Sequence, residues 1–196
     1  MAMAQEGAWD YIYHEHLYYY TKRSILNLFS MSGLEVECFE DIATKGGSLR
    51  VFARKKANLP NPVHDSVKDK FPDPLLILEK RFETCLDAYS SIDQTLHDSS
   101  RVYGYGACAT GSVAIAQHHL FEKLDSIIDD NNARQGLYSP KYAIPVVSLE
   151  QIKFREGDIL IIFAWRFMNI IVDKVETYCR ENSLPVPRFV NSMHPS

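Results

Sequence analysis

Paired cysteines are missing from this chain. The four it has (Cys38, Cys85, Cys108 and Cys179) lie far apart and form no Cys-x-x-Cys pair. That spacing offers neither a zinc knuckle nor a disulfide framework and points to a reducing compartment. A basic excess is missing too: 21 Lys and Arg stand against 25 Asp and Glu, a formal charge of −4. This balance excludes a strongly basic nucleic-acid binder. The two dense basic runs, Lys22-Arg23 and Arg54-Lys55-Lys56, read as solvated surface. Long apolar stretches are absent as well. The longest, Ile159 to Trp165, has 7 residues, against the ~20 that span a bilayer. The opening MAMAQEGAWD carries no apolar core of the signal-peptide kind. No internal repeat or low-complexity segment occurs. A cytoplasmic protein follows, with no nucleic-acid partner, no membrane partner and no metal.

What is present is an ordinary globular composition: 196 residues, 46% hydrophobic and 23% charged. That is enough to bury a core without staples. SILNLFSMSG places Ile25, Leu28 and Phe29 on one helical face, and Gly33 supplies a stop. VECFEDI then reads as a strand. A Lys-Gly-Gly turn at 45–47 leads into SLRVFARK, where Leu49, Val51 and Ala53 alternate with Arg50, Phe52 and Arg54, the period of two of a strand. Residues 57–74 carry Pro60, Pro62, Pro72 and Pro74 and form the best linker candidate. From Pro74 to about Asp98, Leu75, Leu78, Phe82, Leu86, Tyr89, Ile92 and Leu96 recur at helical spacing. Beyond Ser99, short buried strands alternate with helices. RVYGYGA, SIIDD, DILIIFAW and PRFVNSM supply strands, and YAIPVVSLEQI a short strand plus turn; SVAIAQHHLFEKL and FMNIIVDKVETYCRENS supply helices. Such alternation predicts an α/β fold with a Rossmann-like, doubly wound parallel sheet in the C-terminal domain.

Two stretches carry chemistry. In VYGYGACATG, Gly104-x-Gly106-x-x-Ala109 follows a predicted strand and opens a predicted helix. In a nucleotide-binding turn the first glycine permits the bend and the second lets backbone approach a phosphate, which the helix N-terminus then holds. Asp129 and Asp130, about 20 residues on, stand where a ribose-binding carboxylate would be. On this reading Gly104, Gly106, Ala107 and Asp129 bind substrate. The competing reading is a tight strand–helix turn that only packs. The phosphate pattern GxxxxGK[ST] fails, because Ser112 stands where lysine is needed.

WDYIYHEHLYYY, residues 9–20, is the second. His14 and His16 would share one side of a strand, with Glu15 opposite, and would diverge on a helix. A zinc site lacks further ligands at recognisable spacing. A hydrogen-bonded aromatic core and general acid–base chemistry both stay open. For the latter, an imidazole titrates near neutral pH, a carboxylate orients it, and a tyrosine hydroxyl stabilises developing charge.

In one order along nearly the whole chain run IYHEH, GLEV, KGGSLRVFARKK, GYGACATG, IIDDNNARQGLYSP, IPVVSLEQI and ILIIFAWRF. Together they resemble the C-terminal portion of S-adenosyl-L-methionine (SAM)-dependent sugar C-methyltransferases, which methylate the carbon beside the keto group of a nucleotide-linked 4-keto deoxysugar. The resemblance implies that residues 1–56 are the C-terminal remnant of a class I methyltransferase domain: catalytic segment, helix and β-hairpin. It makes 57–74 a linker, and 75–196 a long helix plus a Rossmann-like domain that helps hold the sugar nucleotide.

The family's cysteine-rich zinc module and most of its SAM-binding domain have no counterpart here, so the chain is expected not to methylate alone. A separate SAM-binding chain becomes a candidate partner. His16 matches the general base. Tyr13 and Glu15 match residues lining the sugar site, the tyrosine meeting the enolate oxygen, and His14 is read as a positioning or structural residue on the substrate-binding side. Thr110 replaces a lysine common in relatives, and Arg166 an asparagine. A stand-alone, non-catalytic nucleotide-binding module is the alternative from another class; an NAD-dependent oxidoreductase built on the glycine turn is a third.

Overall fold

A computed structural model of the chain describes residues 8–43, 48–55, 74–95 and 101–193. The expected Lys-Gly-Gly turn, the stretch 57–73 of the linker and the helix end at 96–98 lie outside them. The chain divides into two compact units, one of Met1–Trp9 with His14–Glu79, the other of Asp10–Tyr13 with Lys80–Ser196.

In the first unit, α1 (Lys22–Met31) begins at a reciprocal cap. Ser24 N–H donates to Thr21 Oγ1 at 3.1 Å and Thr21 N–H to Ser24 Oγ at 2.8 Å, satisfying amides that the first turn leaves without partners. Gly33, at φ +72°, turns the chain out. Strands β1 (Leu34–Ile42) and β2 (Ser48–Lys55) pair antiparallel, with a bulge between Val36 and Cys38. Exposed pairs Arg50–Glu40 and Arg54–Glu35, both at 3.0 Å, cross the hairpin and contribute little each. No residue of α1, β1 or β2 is buried.

The second unit is built on a five-stranded parallel sheet: β3 (Val102–Tyr105), β4 (Leu124–Ile128), β5 (Val146–Val147), β6 (Ile159–Ile162) and β7 (Arg188–Asn191), in the order β5-β4-β3-β6-β7. Sequence-adjacent strands therefore run outward in both directions from the β3/β6 junction, the order of a Rossmann-like α/β sheet. β3 and β6 are buried at every position, as strands covered on both faces must be. On one face Tyr103, Tyr105, Leu160 and Ile162 pack with Ile171, Val175 and Cys179 of α4 (Met168–Glu181). The four-residue spacing puts those three side chains on one helical stripe, and each such burial stabilises by roughly 1.5–3 kcal/mol. On the other face, Gly104 and Gly111 of α3 (Ala109–Gln117) abut Phe163. The long helix, α2 (Pro74–Thr95), brings Phe82 against the His118 ring and Cys85 into a contact from its thiol to the Met193 carbonyl.

One expectation needs trimming. The helix of SVAIAQHHLFEKL begins at Ala109 and stops at Gln117: His119 adopts a left-handed backbone, φ +53°, and a 3-10 turn over Leu120–Glu122 follows, which buries Leu120. The short strand plus turn expected in YAIPVVSLEQI is present: β5 has two residues, Pro145 before it having no N–H to pair with, and a 3-10 turn over Leu149–Gln151 follows. Among the described residues no helix is long and apolar enough to cross a membrane.

Candidate active site

The glycine turn stands where the strand order reverses, the place at which open α/β sheets bind ligands. Its glycines answer first to neighbouring protein. A Cβ on Gly104 would lie 2.5 Å from the Phe163 ring, one on Gly106 2.9 Å from Ala164 Cβ, and one on Gly111 3.0 Å from the Gly106 carbonyl. Gly106 also has φ +103°, a conformation a side chain would oppose. Its N–H donates to Ile128 O at 2.8 Å, which ties β3 to β4.

Asp129, 6% exposed, closes the turn from the end of β4. One carboxylate oxygen accepts from Ala107 N–H at 2.7 Å and from Arg134 Nη1 at 3.1 Å; the other accepts from Asn131 N–H at 2.9 Å. The Ala107 amide, the donor a phosphate would seek, is thus already engaged by protein. Its neighbour Asp130 accepts from the Tyr105 hydroxyl at 2.7 Å and Lys174 at 2.6 Å. Partial burial works against the Asp130 anion, but these two donors win and hold its carboxyl below the usual range. Burial, reinforced by Asp130, drives the Tyr105 phenol well above its ordinary value.

The histidine segment is neither strand nor helix. Residues 13–15 bend and turn, and 16–20 run without regular structure. His14 and Glu15 are exposed, Tyr13 and His16 half-buried. Tyr18 and Tyr20 stack at 6.3 Å between ring centroids. Tyr13 groups with the sheet unit, while His14, Glu15 and His16 group with the helix–hairpin unit; Gly104, Gly106, Ala107 and Asp129 all lie in the sheet unit. Among the described residues no three His, Cys, Asp or Glu side chains converge to hold a metal ion.

Sequence reasoning overlooked Asp10 and Tyr11. Asp10 is 1% exposed, and its Oδ2 accepts from Trp165 Nε1 at 2.9 Å. Burial raises its pKa against the pull of Trp165 and Arg166. The Arg166 guanidinium lies 4.4 Å from the Tyr11 ring and 4.2 Å from the Trp165 ring, and donates to the Tyr11 hydroxyl. These partners sit 155 residues apart in sequence, so no local pattern announces them. The one available signal was a tryptophan at a strand exit, whose indole N–H seeks an acceptor when buried.

Residues 43–187 match the model of the C-methyltransferase C-terminal domain. This chain belongs to the C-methyltransferase C-terminal domain family. It is also 24% identical to the C-methyltransferase NovU of Streptomyces niveus, over 97% of this chain and 49% of that protein. The chain thus spans about half the length of the curated relative it matches. Family membership places the β-hairpin strand β2, helix α2 and most of the parallel sheet in one shared region, while the histidine segment precedes its first matched residue. In this C-methyltransferase C-terminal domain the fit for SAM is poor. Among the described residues the first unit has no strand–glycine-turn–helix element, and the glycine turn of the second has its Ala107 amide bonded to Asp129 and its glycines filled by Phe163 and Ala164.

Proposed function

We propose that this chain is the C-terminal part of a C-methyltransferase acting on the carbon beside the keto group of a nucleotide-linked 4-keto deoxysugar, with His16 as the base. The observation that carries the reading is the family match over 43–187, joined to a histidine segment in which His16 follows the turn at His14–Glu15 and is half-buried.

The chemistry needed from this chain is proton removal. The C–H bond beside the ketone breaks, its proton passes to the His16 imidazole, and the electron pair moves to the carbonyl oxygen as an enolate. Tyr13 donates to that oxygen and Glu15 orients the sugar. Hydrogen bonds aimed at the developing oxyanion lower the barrier more than they stabilise the ketone. Methyl transfer draws on SAM; the described residues make no site for it, so no later step is assigned to them. A SAM-binding portion, whether in the same polypeptide or on a separate chain, is what this reading requires.

A second reading, a nucleotide-binding module without catalysis, draws on the glycine turn at the point where the strand order reverses. Calorimetric titration with a deoxythymidine-diphosphate-linked 4-keto deoxysugar, followed by incubation in D2O, separates them. The first reading predicts binding together with deuterium uptake beside the ketone above the buffer rate. Binding without uptake favours the module; no binding at millimolar sugar nucleotide sinks both.

A further inference from the structure

Two helices start at the crevice where the strand order reverses, α3 after β3 and α4 after β6, and their first turns are built differently. Around α3 the donors are taken: Asp129 holds the Ala107 amide, and the Cys108 thiol accepts from the Gly111 N–H at 3.4 Å. At α4 no side chain caps the helix, and no acidic residue stands in its first turn. The Phe167 and Met168 amides are used by the 3-10 turn before it, on the Ala164 and Trp165 carbonyls; the exposed Asn169 and Ile170 follow. A 14-residue helix begun in this way presents the positive end of its dipole to whatever lies in the crevice.

We propose that the N-terminus of α4 and Arg166 form the phosphate site for a nucleoside diphosphate, with Asp10 accepting from a hydroxyl of that ligand. The ligand's class rests on the sugar-nucleotide reading above; the place of its phosphate does not.

Arg166 stands directly before the α4 cap, its guanidinium 4.4 Å from the Tyr11 ring and 4.2 Å from the Trp165 ring. A cation fixed by two rings beside a helix N-terminus adds to the same positive field, a combination suited to phosphate. Asp10 is the independent sign of a ligand. It is 1% exposed, one oxygen accepts from Trp165 Nε1 at 2.9 Å, and the other, Oδ1, has no hydrogen-bond partner. A buried acceptor left in that state is costly and calls for a donor. Trp165 precedes the cap residue Phe167 by two positions, so the unpartnered oxygen lies at the same end of α4. Burial raises the Asp10 pKa, which lessens the charge it sets against a phosphate. An ionised diphosphate has no donor to offer Oδ1, whereas a nucleoside hydroxyl does. Phe167, 60% exposed, adds a ring on which a base can stack. All of these residues belong to the sheet unit, so the site draws nothing from the helix–hairpin unit.

The experiment titrates the whole 196-residue chain by calorimetry with deoxythymidine diphosphate and with pyrophosphate. The proteins are wild type, Asn169→Asp, Ala109→Asp, Arg166→Ala, Arg166→Lys and Asp10→Asn. Asn169→Asp puts a carboxylate in the first turn of α4, where it stabilises the helix and repels phosphate. It is expected to weaken both ligands at least about tenfold with the thermal midpoint unchanged or raised, a pairing that damage to the fold cannot give. Ala109→Asp, the same charge at the start of α3, is expected to weaken them by less than about threefold through screened repulsion. Arg166→Ala should weaken both by roughly ten- to a hundredfold, and Arg166→Lys should recover part of the loss. Asp10→Asn should weaken deoxythymidine diphosphate and leave pyrophosphate as it was. Unaltered affinity in Asn169→Asp overturns the α4 site, and so does a wild type that binds neither ligand at millimolar concentration. A larger loss in Ala109→Asp than in Asn169→Asp also overturns it and returns the phosphate to the glycine turn, with the sugar-nucleotide reading intact. Equal effects of Asp10→Asn on the two ligands overturn the hydroxyl contact. A chain that passes these tests yet takes up no deuterium beside the ketone keeps the site and loses the base.

Discussion

Gly104 sits at the point where strand packing and the candidate turn meet, and replacing it by alanine should cost stability through one defined clash. The added Cβ would stand 2.5 Å from Phe163 Cε2 and 3.1 Å from Cδ2, with Ile127 Cγ1 at 3.5 Å. Phe163 is 1% exposed, so its ring cannot swing into solvent. Overpacking of this kind costs about 1–3 kcal/mol, offset by roughly 0.4–1 kcal/mol from the stiffer unfolded chain. A net loss of about 1–2 kcal/mol remains, and at about 4 °C per kcal/mol for a unit of this size the midpoint of thermal unfolding should fall by roughly 4–8 °C. Differential scanning calorimetry measures it. The cause is checked by Phe163→Leu, which vacates the ring position: in that background Gly104→Ala should cost at least about 1 kcal/mol less. Strict additivity of the two substitutions, or a midpoint within a degree of wild type for Gly104→Ala alone, would refute the packing account.

Other consequences are simpler to state. Asp129→Asn keeps the shape but weakens the charge-assisted bonds to Ala107 and Arg134; a loss of about 1–3 kcal/mol in urea unfolding is expected, and none would show that the turn does not depend on them. Val175→Ala, at a fully buried site on α4, should cost about 2–3 kcal/mol by the lost methyl groups and the cavity left, read from the same urea curves. Burial pushes the His118 pKa down to about 4 from 6.5. The unfolded chain then binds the extra proton first, so stability present above pH 6.5 drains away as pH falls towards 4. His118→Phe should flatten that acid limb, by an amount on the order of 2 kcal/mol, and an unaltered limb would exclude His118 as its source.

Much of the fold was legible because it follows from patterns within a few residues of one another. The period of two in SLRVFARK, the apolar runs VYGY and ILII, and the four-residue spacing of Ile171, Val175 and Cys179 each specify an element without reference to distant sequence. Helix α3 proved shorter than its apolar pattern because a left-handed His119 ends it, a backbone choice that histidine does not advertise. The turn showed the opposite limit: GxGxxA was recognisable, but that Asp129 would bond Ala107 depended on the pairing of β3 with β4. Least legible were the contacts of Asp10 and Tyr11. They meet Trp165 and Arg166 over 155 residues, and only a tryptophan at a strand exit, beside an arginine where the resembled family has asparagine, marked the place. For WDYIYHEHLYYY, residue types suggested acid–base chemistry without ranking it; the resemblance singled out His16.

That assignment of His16 is best tested by proton exchange, since exchange needs no methyl donor. Wild type and His16→Ala would be incubated in D2O with a deoxythymidine-diphosphate-linked 4-keto deoxysugar, and deuterium at the carbon beside the ketone followed by proton NMR, with binding of both proteins checked by calorimetry. Loss of a positioned general base typically costs 10²–10⁴-fold, so His16→Ala should bind the sugar nucleotide yet exchange no faster than buffer, while wild type exchanges well above it. A His16→Ala protein that exchanges as fast as wild type would contradict the account.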